Sequence, residues 1–297
     1  MGNLTATALR RAAGLSAAAE QLGRIEDLDR LAKPLARAVH QLVPSGSTLK
    51  DALSGTSLGH PVHPMLTDLP IGSFTTATVL DLIGGKRARR GADLLVAIGL
   101  LSAVPTALAG ASDWSETYGE DQRIGVVHAA SNTVGLACYT LSLAARWRGR
   151  RLTGKALALA GMSAMTVGGY LGGYLSYSRG IGVNNTFFHH QPQDWTPVLP
   201  EADVEEGKPV RAAVGDTPVV VFRVGASLYA LDSRCTHAGG PLDEGDFDAA
   251  TCTVRCPWHH SVFNVVDGAV VHGPASSPEP AYEVRVNEGQ IEVRQLH

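Results

Sequence analysis

The sequence predicts a multidomain protein: an N-terminal all-α bundle of four transmembrane helices, then a C-terminal all-β domain of about 100 residues. Three observations carry that expectation. Uncharged runs recur at Leu94–Ser112, Ile124–Ala145 and Ala156–Ser178. Each is long enough, at about 1.5 Å per residue, to cross a hydrocarbon layer of about 30 Å. From about Val198 the texture changes to short Val-rich runs separated by Gly, Asp and Asn, the pattern of strands and turns. The charge balance changes at the same place: residues 1–195 carry 18 Lys+Arg against 13 Asp+Glu, and residues 196–297 carry 7 against 15.

Taken in order, residues 1–56 form an amphipathic helical segment. Within it, 4–42 suggest two Ala/Leu-rich helices with a break near Pro34, followed by the loop Pro44-Ser-Gly-Ser47. The start, MGNLTATALRRAAGLSAAAEQLG, has no long apolar core of the secretory kind, and the run after Arg10-Arg11 is too polar for a twin-arginine signal. Residues 57–180 form the four-helix transmembrane domain. Its first span, Pro64–Gly85, is interrupted by Asp68 and Asp81; the other three are the uncharged runs. A buried soluble bundle can hold one such run, but three in series favour a membrane. Residues 181–195 form a linker and 196–297 the β domain.

Loop charge orients the spans. Lys86, Arg87, Arg89 and Arg90 follow the first span, and Arg146, Arg148, Arg150, Arg151 and Lys155 lie between the third and fourth. The opposite face has only Lys50, Arg123 and Arg179 nearby. The basic loops therefore belong in the cytoplasm, and the β domain belongs on the non-cytoplasmic face of the cell membrane. The acidic balance of the β domain excludes the clustered basic footprint of a nucleic-acid binder.

Four cysteines are too few for a disulfide framework at this length. Cys138, in an apolar run, and Cys252, in a strand-like run, are expected as small buried side chains. The other two sit beside histidines: Cys235-x-His237 and, 18 residues on, Cys256-x-x-His259. Each pair lies in a loop between predicted strands and offers one thiolate and one imidazole. Four such ligands suit a tetrahedral zinc, or a [2Fe–2S] cluster with two thiolates on one iron and two imidazoles on the other.

The surroundings, Cys235-Thr-His-Ala-Gly-Gly-Pro-Leu242, then Cys256-Pro-Trp-His259, Ser261, Phe263 and an Asp267-Gly268 turn, resemble those of the Rieske family. The resemblance covers 196–297 and implies a [2Fe–2S] cluster on Cys235, His237, Cys256 and His259. His260 stands where the family usually has glycine. Gly240 and Trp258 stand where Rieske proteins of cytochrome bc complexes carry a disulfide, and Phe263 where they carry a tyrosine. Those departures imply a low-potential cluster of the ferredoxin type, because fewer hydrogen bonds reach its sulfurs. The chain ends without room for the mononuclear-iron domain of ring-hydroxylating oxygenases, so an oxidoreductase component without its own substrate-oxidising domain is expected.

Gly59-His-Pro-Val-His-Pro-Met-Leu-Thr-Asp-Leu-Pro-Ile-Gly72 resembles the opening of a bacterial four-helix membrane family of no settled function. His60, His63 and His128 then fall near one membrane face. Ionisable groups there are costly, so they are candidate ligands for haem b or the head of a quinone. The structural counterpart is a helix cap and an interhelical hydrogen bond. The glycines Gly168, Gly169, Gly172 and Gly173 suit close helix packing. The expected function is transfer of single electrons between a membrane donor, quinol or haem, and a redox partner protein. The rival is a non-catalytic redox-sensing or docking module. The sequence leaves the oligomeric state open.

Overall fold

The computed structural model describes residues 14–296. They divide into two compact units: one holds the residues up to Leu42 together with His63–Ile181, the other Val43–Val62 together with the chain from Gly182 onward. Seven α-helices occur among the described residues rather than the four of the expected bundle.

In the first unit, α1 (14–23) and α2 (Asp29–Leu42) precede the bundle. The break between them lies at 24–28, not at Pro34, which sits inside α2. At that break the bare backbone of Gly23 approaches Glu120 so closely that a Cβ there would lie 3.0 Å from the Glu120 Cβ. Arg123 ties α2 down, its guanidinium donating to Asp29 at 2.6 Å and to the Gly23 carbonyl at 2.9 Å. The N-terminal stretch before residue 14 lies outside the described residues.

The bundle proper is α4 (Val62–Ile83), α5 (Arg89–Ser115), α6 (Gly119–Trp147) and α7 (Arg151–Tyr177). The last three are long and apolar enough to cross a membrane; α4, carrying Asp68 and Asp81, falls short of that criterion. The packing is inverted relative to a soluble bundle. Leu82, Leu101, Leu108, Val134 and Leu141 face outward, while Ser112, Ser142 and Thr106 are buried. Close packing uses missing side chains, as expected where helices associate without a hydrophobic driving force. Phe74 and Tyr139 stack with ring centroids 3.9 Å apart, and Phe74 lies in the notch left by Gly99. A Cβ on Gly161 would meet the Gly135 carbonyl at 3.0 Å. Of the four clustered glycines, Gly168 and Gly172 abut Asn132 and His128 on α6, whereas Gly169 faces open space. Cys138 is half-buried rather than buried, because only one flank of α6 meets other helices.

At the end of the bundle with the basic loops, two aspartates and two arginines interlock. Arg146, its side chain fully buried, reaches Asp81 and Asp93, and Arg151 reaches the same two carboxylates. Gly154 leaves the space through which the Arg146 stem passes.

The second unit is two antiparallel sheets. The larger has six strands in the order β1-β10-β9-β4-β3-β2. These are β1 (Thr196–Pro200), β2 (Val210–Val214), β3 (Thr217–Val224), β4 (Ser227–Asp232), β9 (Ala281–Asn287) and β10 (Gln290–Gln295). The smaller, β5 (Asp246–Asp248), β6 (Thr253–Arg255), β7 (Val262–Asn264) and β8 (Val270–His272), is inserted between β4 and β9. Phe222, Leu231, Leu242, Val254 and Phe263 form the core of this unit, together with Cys235 and Cys256. Cys252 is partly buried in a turn at φ +52°, short of the full burial expected of it.

Two divisions differ from the sequence expectation. Val43–Val62, which spans the end of the expected N-terminal segment (1–56) and the start of the expected membrane domain (57–180), belongs to the second unit together with the helix α3 (Thr48–Ser54). Seven residues cannot bury a face of their own, so α3 takes its burial from the β domain. Of the stretch 181–195, expected as a linker, the part from Gly182 is hydrogen-bonded into the same unit: Asn185 N–H to the Thr236 carbonyl at 3.0 Å, and Gln295 N–H to the Pro192 carbonyl at 2.7 Å.

Candidate metal centre

Two loops carry the cysteine–histidine pairs, one leading from β4 towards β5 and one joining β6 to β7. They share one backbone frame. The N–H of each cysteine bonds the carbonyl five residues on, Cys235 to Gly240 and Cys256 to Ser261, both at 2.8 Å. The N–H four residues on bonds back, Gly239 to the Cys235 carbonyl at 2.7 Å and His260 to the Cys256 carbonyl at 3.1 Å. The position four after each cysteine is left-handed, at φ +77° for Gly239 and φ +63° for His260. This explains the sequence oddity. His260 occupies a glycine-type turn, and its side chain points to solvent while that of His259 is buried.

The frame brings the four expected residues together. Cys235 and Cys256 are each 1% exposed, and their sulfurs are hydrogen-bonded to one another. The His237 and His259 rings meet edge to face with centroids 4.9 Å apart. The bond between the sulfurs holds the Cys256 thiol down to about 7 and, with burial, pushes Cys235 well up. Burial, the neighbouring His259 and the charge of Lys50 lower His237 to about 3, so this imidazole is neutral at physiological pH, the form that binds a metal. Glu279, 2% exposed, accepts from the Thr236 N–H at 2.6 Å, and burial raises its carboxyl well above the usual range.

Whether a two-iron cluster fits can be judged from the side chains themselves. His237 Nδ1 is buried and has no hydrogen-bond partner, a cost that a metal bond removes. Gly240 presents bare backbone to the site: a Cβ there would lie 2.8 Å from the Cys256 sulfur and 3.1 Å from the Trp258 ring. Among the described residues no three His, Cys, Asp or Glu side chains converge as on a single ion, whereas a two-iron cluster asks only two ligands of each metal. The donor set fits the cluster.

The membrane histidines are arranged differently. His63 Nδ1 lies 2.9 Å from the Thr106 carbonyl on α5, and its ring fills the notch at Gly110. His128 Nδ1 lies 2.7 Å from the Gly168 carbonyl on α7, its Nε2 lies 3.2 Å from the Asn132 amide, and its ring fills the notch at Gly172. His60 is exposed and belongs to the second unit. The three do not meet in one unit. Residues that sequence reasoning did not assign to the centre lie around its loops: Glu279 accepts from the Thr236 N–H, Asn185 donates to the His237 carbonyl at 3.0 Å, and Asp51 and Thr56 of α3 bond the segment 272–275 after β8. The Ser47 cap and the Gly55 stop of α3 are readable as a short helix, but nothing in that pattern says where it docks.

Comparison with known proteins agrees with this geometry. Residues 194–288 match the family model described as Rieske [2Fe-2S] domain, and residues 59–185 match the model described as predicted membrane protein (DUF2231). The chain is 36% identical over 102 residues to "Ferredoxin CarAc" of Metapseudomonas resinovorans, covering 34% of this chain and 94% of that one. It is 37% identical over 93 residues to the 3-phenylpropionate/cinnamic acid dioxygenase ferredoxin subunit of Escherichia coli K12, covering 31% and 85%. Among solved structures, the ferredoxin of carbazole 1,9a-dioxygenase from Nocardioides aromaticivorans IC177 matches at 33% identity and a TM-score of 0.34, covering 35% of this chain and 100% of that one. Through its C-terminal domain the chain belongs to the Rieske [2Fe–2S] family, whose domain binds a [2Fe–2S] cluster.

Proposed function

We propose that the protein carries single electrons at a membrane, with Cys235 and Cys256 on one iron of the cluster and His237 and His259 on the other. The observation that carries this is the pair of matched loops, which bring two buried sulfurs and two imidazoles into one centre. When bound, the cluster supplies a one-electron couple; the protein supplies a neutral His237 imidazole and two buried cysteines held in one geometry. The curated relatives are ferredoxins of dioxygenase systems, so a redox partner protein is the acceptor class they favour. Quinol or haem is the donor class that a membrane location favours. For His63 and His128, seated in glycine notches with Nδ1 on backbone carbonyls, the geometry supports helix packing more directly than haem ligation.

The membrane half is proposed to cross four times. Val43–Val62 and the chain from Gly182 form one compact unit, so both flanks of 63–181 lie on one side of the membrane. The segment between them therefore crosses an even number of times. Three spans qualify by length and apolarity, and α4, with its 22 residues, supplies the fourth. With the basic loops in the cytoplasm, the cluster domain faces the other side.

Purified protein in detergent, reduced with dithionite and separately with a quinol analogue, tests the proposal. The expected result is two irons and two acid-labile sulfides per chain, a rhombic EPR signal on reduction, and passage of the electron to an added acceptor protein. A colourless protein that binds zinc would end the proposal, and a cluster that no donor reduces would leave it without its function.

A further inference from the structure

The segment between the last bundle helix and β1 carries two exposed aromatic rings. Phe187 and Phe188 are 75% and 85% exposed, and their rings meet edge to face with centroids 5.1 Å apart. They stand at the tip of a turn closed by the His189 N–H on the Thr186 carbonyl at 2.9 Å. Inside the turn Thr186 is buried, and it donates to the Asn184 side-chain oxygen from its N–H at 2.9 Å and from its hydroxyl at 2.8 Å. Both flanks are braced. Asn185 donates from its backbone to the Thr236 carbonyl and from its side chain to the His237 carbonyl, each at 3.0 Å. On the other flank His189 Nδ1 lies 2.5 Å from the carboxylate of Asp232, the last residue of β4.

The bracing holds both rings outward, where neither can fold back on the domain. Adjacent large apolar side chains fixed in water are costly and mark a surface that something covers. Three observations say what covers it. Phe187 follows Tyr177, the last residue of α7, by ten residues, at most about 35 Å of extended chain, so the turn is tethered close to where that helix leaves the lipid. Between Arg179 and Asp194 the chain has no Asp, Glu, Lys or Arg. This stretch therefore brings no carboxylate to anionic phospholipid headgroups, unlike the acid-rich strands that follow it. Residues 186–193 also fall between the two family matches, 59–185 and 194–288, so the rings belong to neither.

We propose that the Phe187–Phe188 turn is a membrane-docking element whose two rings enter the headgroup region of a phospholipid surface. This rests on the membrane crossing proposed above. Through Asn185 the turn is bonded directly to the loop that carries His237, so docking holds that loop at the lipid surface, where a donor dissolved in the bilayer meets it. Rings of this kind bind a bilayer by burying apolar area at the boundary between headgroups and acyl chains. Each buried phenylalanine raises the docked population by a factor of about ten or more.

The test uses the full chain with its cluster, in nanodiscs of phosphatidylcholine and phosphatidylglycerol. Phe188→benzoylphenylalanine puts a photoreactive ring at the tip of the turn, and mass spectrometry reads what it captures on illumination. The expected product is a phospholipid adduct. Adding Phe187→Ser to that variant lowers the adduct yield about tenfold while the EPR signal of the cluster stays. If the first variant loses its cluster, Phe187→benzoylphenylalanine, with and without Phe188→Ser, gives the same readout. Capture of a second copy of the chain, or of no lipid, overturns the inference, as does an adduct whose yield the serine leaves unchanged. Leu101→benzoylphenylalanine, at an outward-facing position of α5, separates the two readings, since it captures lipid if α5 crosses the bilayer. No adduct at 101 would instead bring down the membrane crossing on which the inference rests.

Discussion

Gly240 faces the Cys256 sulfur, and any side chain there would take the space beside it. A methyl group there would sit 2.8 Å from that sulfur, inside any normal contact, with the Trp258 ring behind it at 3.1 Å. Gly240→Ala is therefore expected to lose most of its cluster while the sheets stay folded, since overpacking of this kind costs about 1–3 kcal/mol. Visible absorbance and iron content, set beside circular dichroism, would show the dissociation; full loading would contradict it. His260 presents the opposite case, a side chain where the backbone asks for none. At φ +63° a residue other than glycine pays about 1–2 kcal/mol, of which glycine's greater freedom in the unfolded chain returns up to about 1. His260→Gly should stabilise the domain by about 1 kcal/mol or less, read as a higher Tm with the EPR signal unchanged. A lower Tm would mean that the exposed ring makes a contact worth more than the strain.

Among the elements, the bundle spends its polar residues inside and its leucines outside, the reverse of a soluble bundle. The arginine–aspartate lattice at its basic end is the strongest case. Arg146 is buried between Asp81 and Asp93, with Arg151 closing the set. Removing one member of such a group strands the others in a low-dielectric site at a cost of about 3–5 kcal/mol. Arg146→Met should accordingly lower the Tm in detergent sharply and reduce the folded fraction recovered by size exclusion. Unchanged unfolding would mean that water reaches these carboxylates. In the sequence Asp81 reads as an interruption of the first span. Its partners lie 65 and 70 residues away, a pairing that no local pattern reports. The break between α1 and α2 has a similar source, since Gly23 yields to Glu120 about a hundred residues on, whereas Pro34 is absorbed in the helix.

At the scale of the whole molecule, the Rieske domain was legible in two short motifs, and the long-range contacts were not. Cys235, His237, Cys256 and His259 stand in two short motifs whose residue types already imply how each side chain bonds. The three apolar runs are equally plain, because crossing a membrane is a matter of length and composition. What escaped is the docking of α3 on the segment after β8. Residues 43–62 look like the tail of an N-terminal segment, yet they fold with a domain more than a hundred residues further on. By itself the sequence determined the kind of cofactor, the two motifs that would hold it and the helical or strand character of most stretches, since those follow from side-chain chemistry and local periodicity. Only the tertiary structure decided that α3 bonds the segment after β8, that His63 and His128 rest in glycine notches, and that Arg146 is paired with Asp81 and Asp93. Contacts of that kind depend on surfaces meeting across long separations in the chain, and burial, unlike periodicity, is a property of the assembled whole.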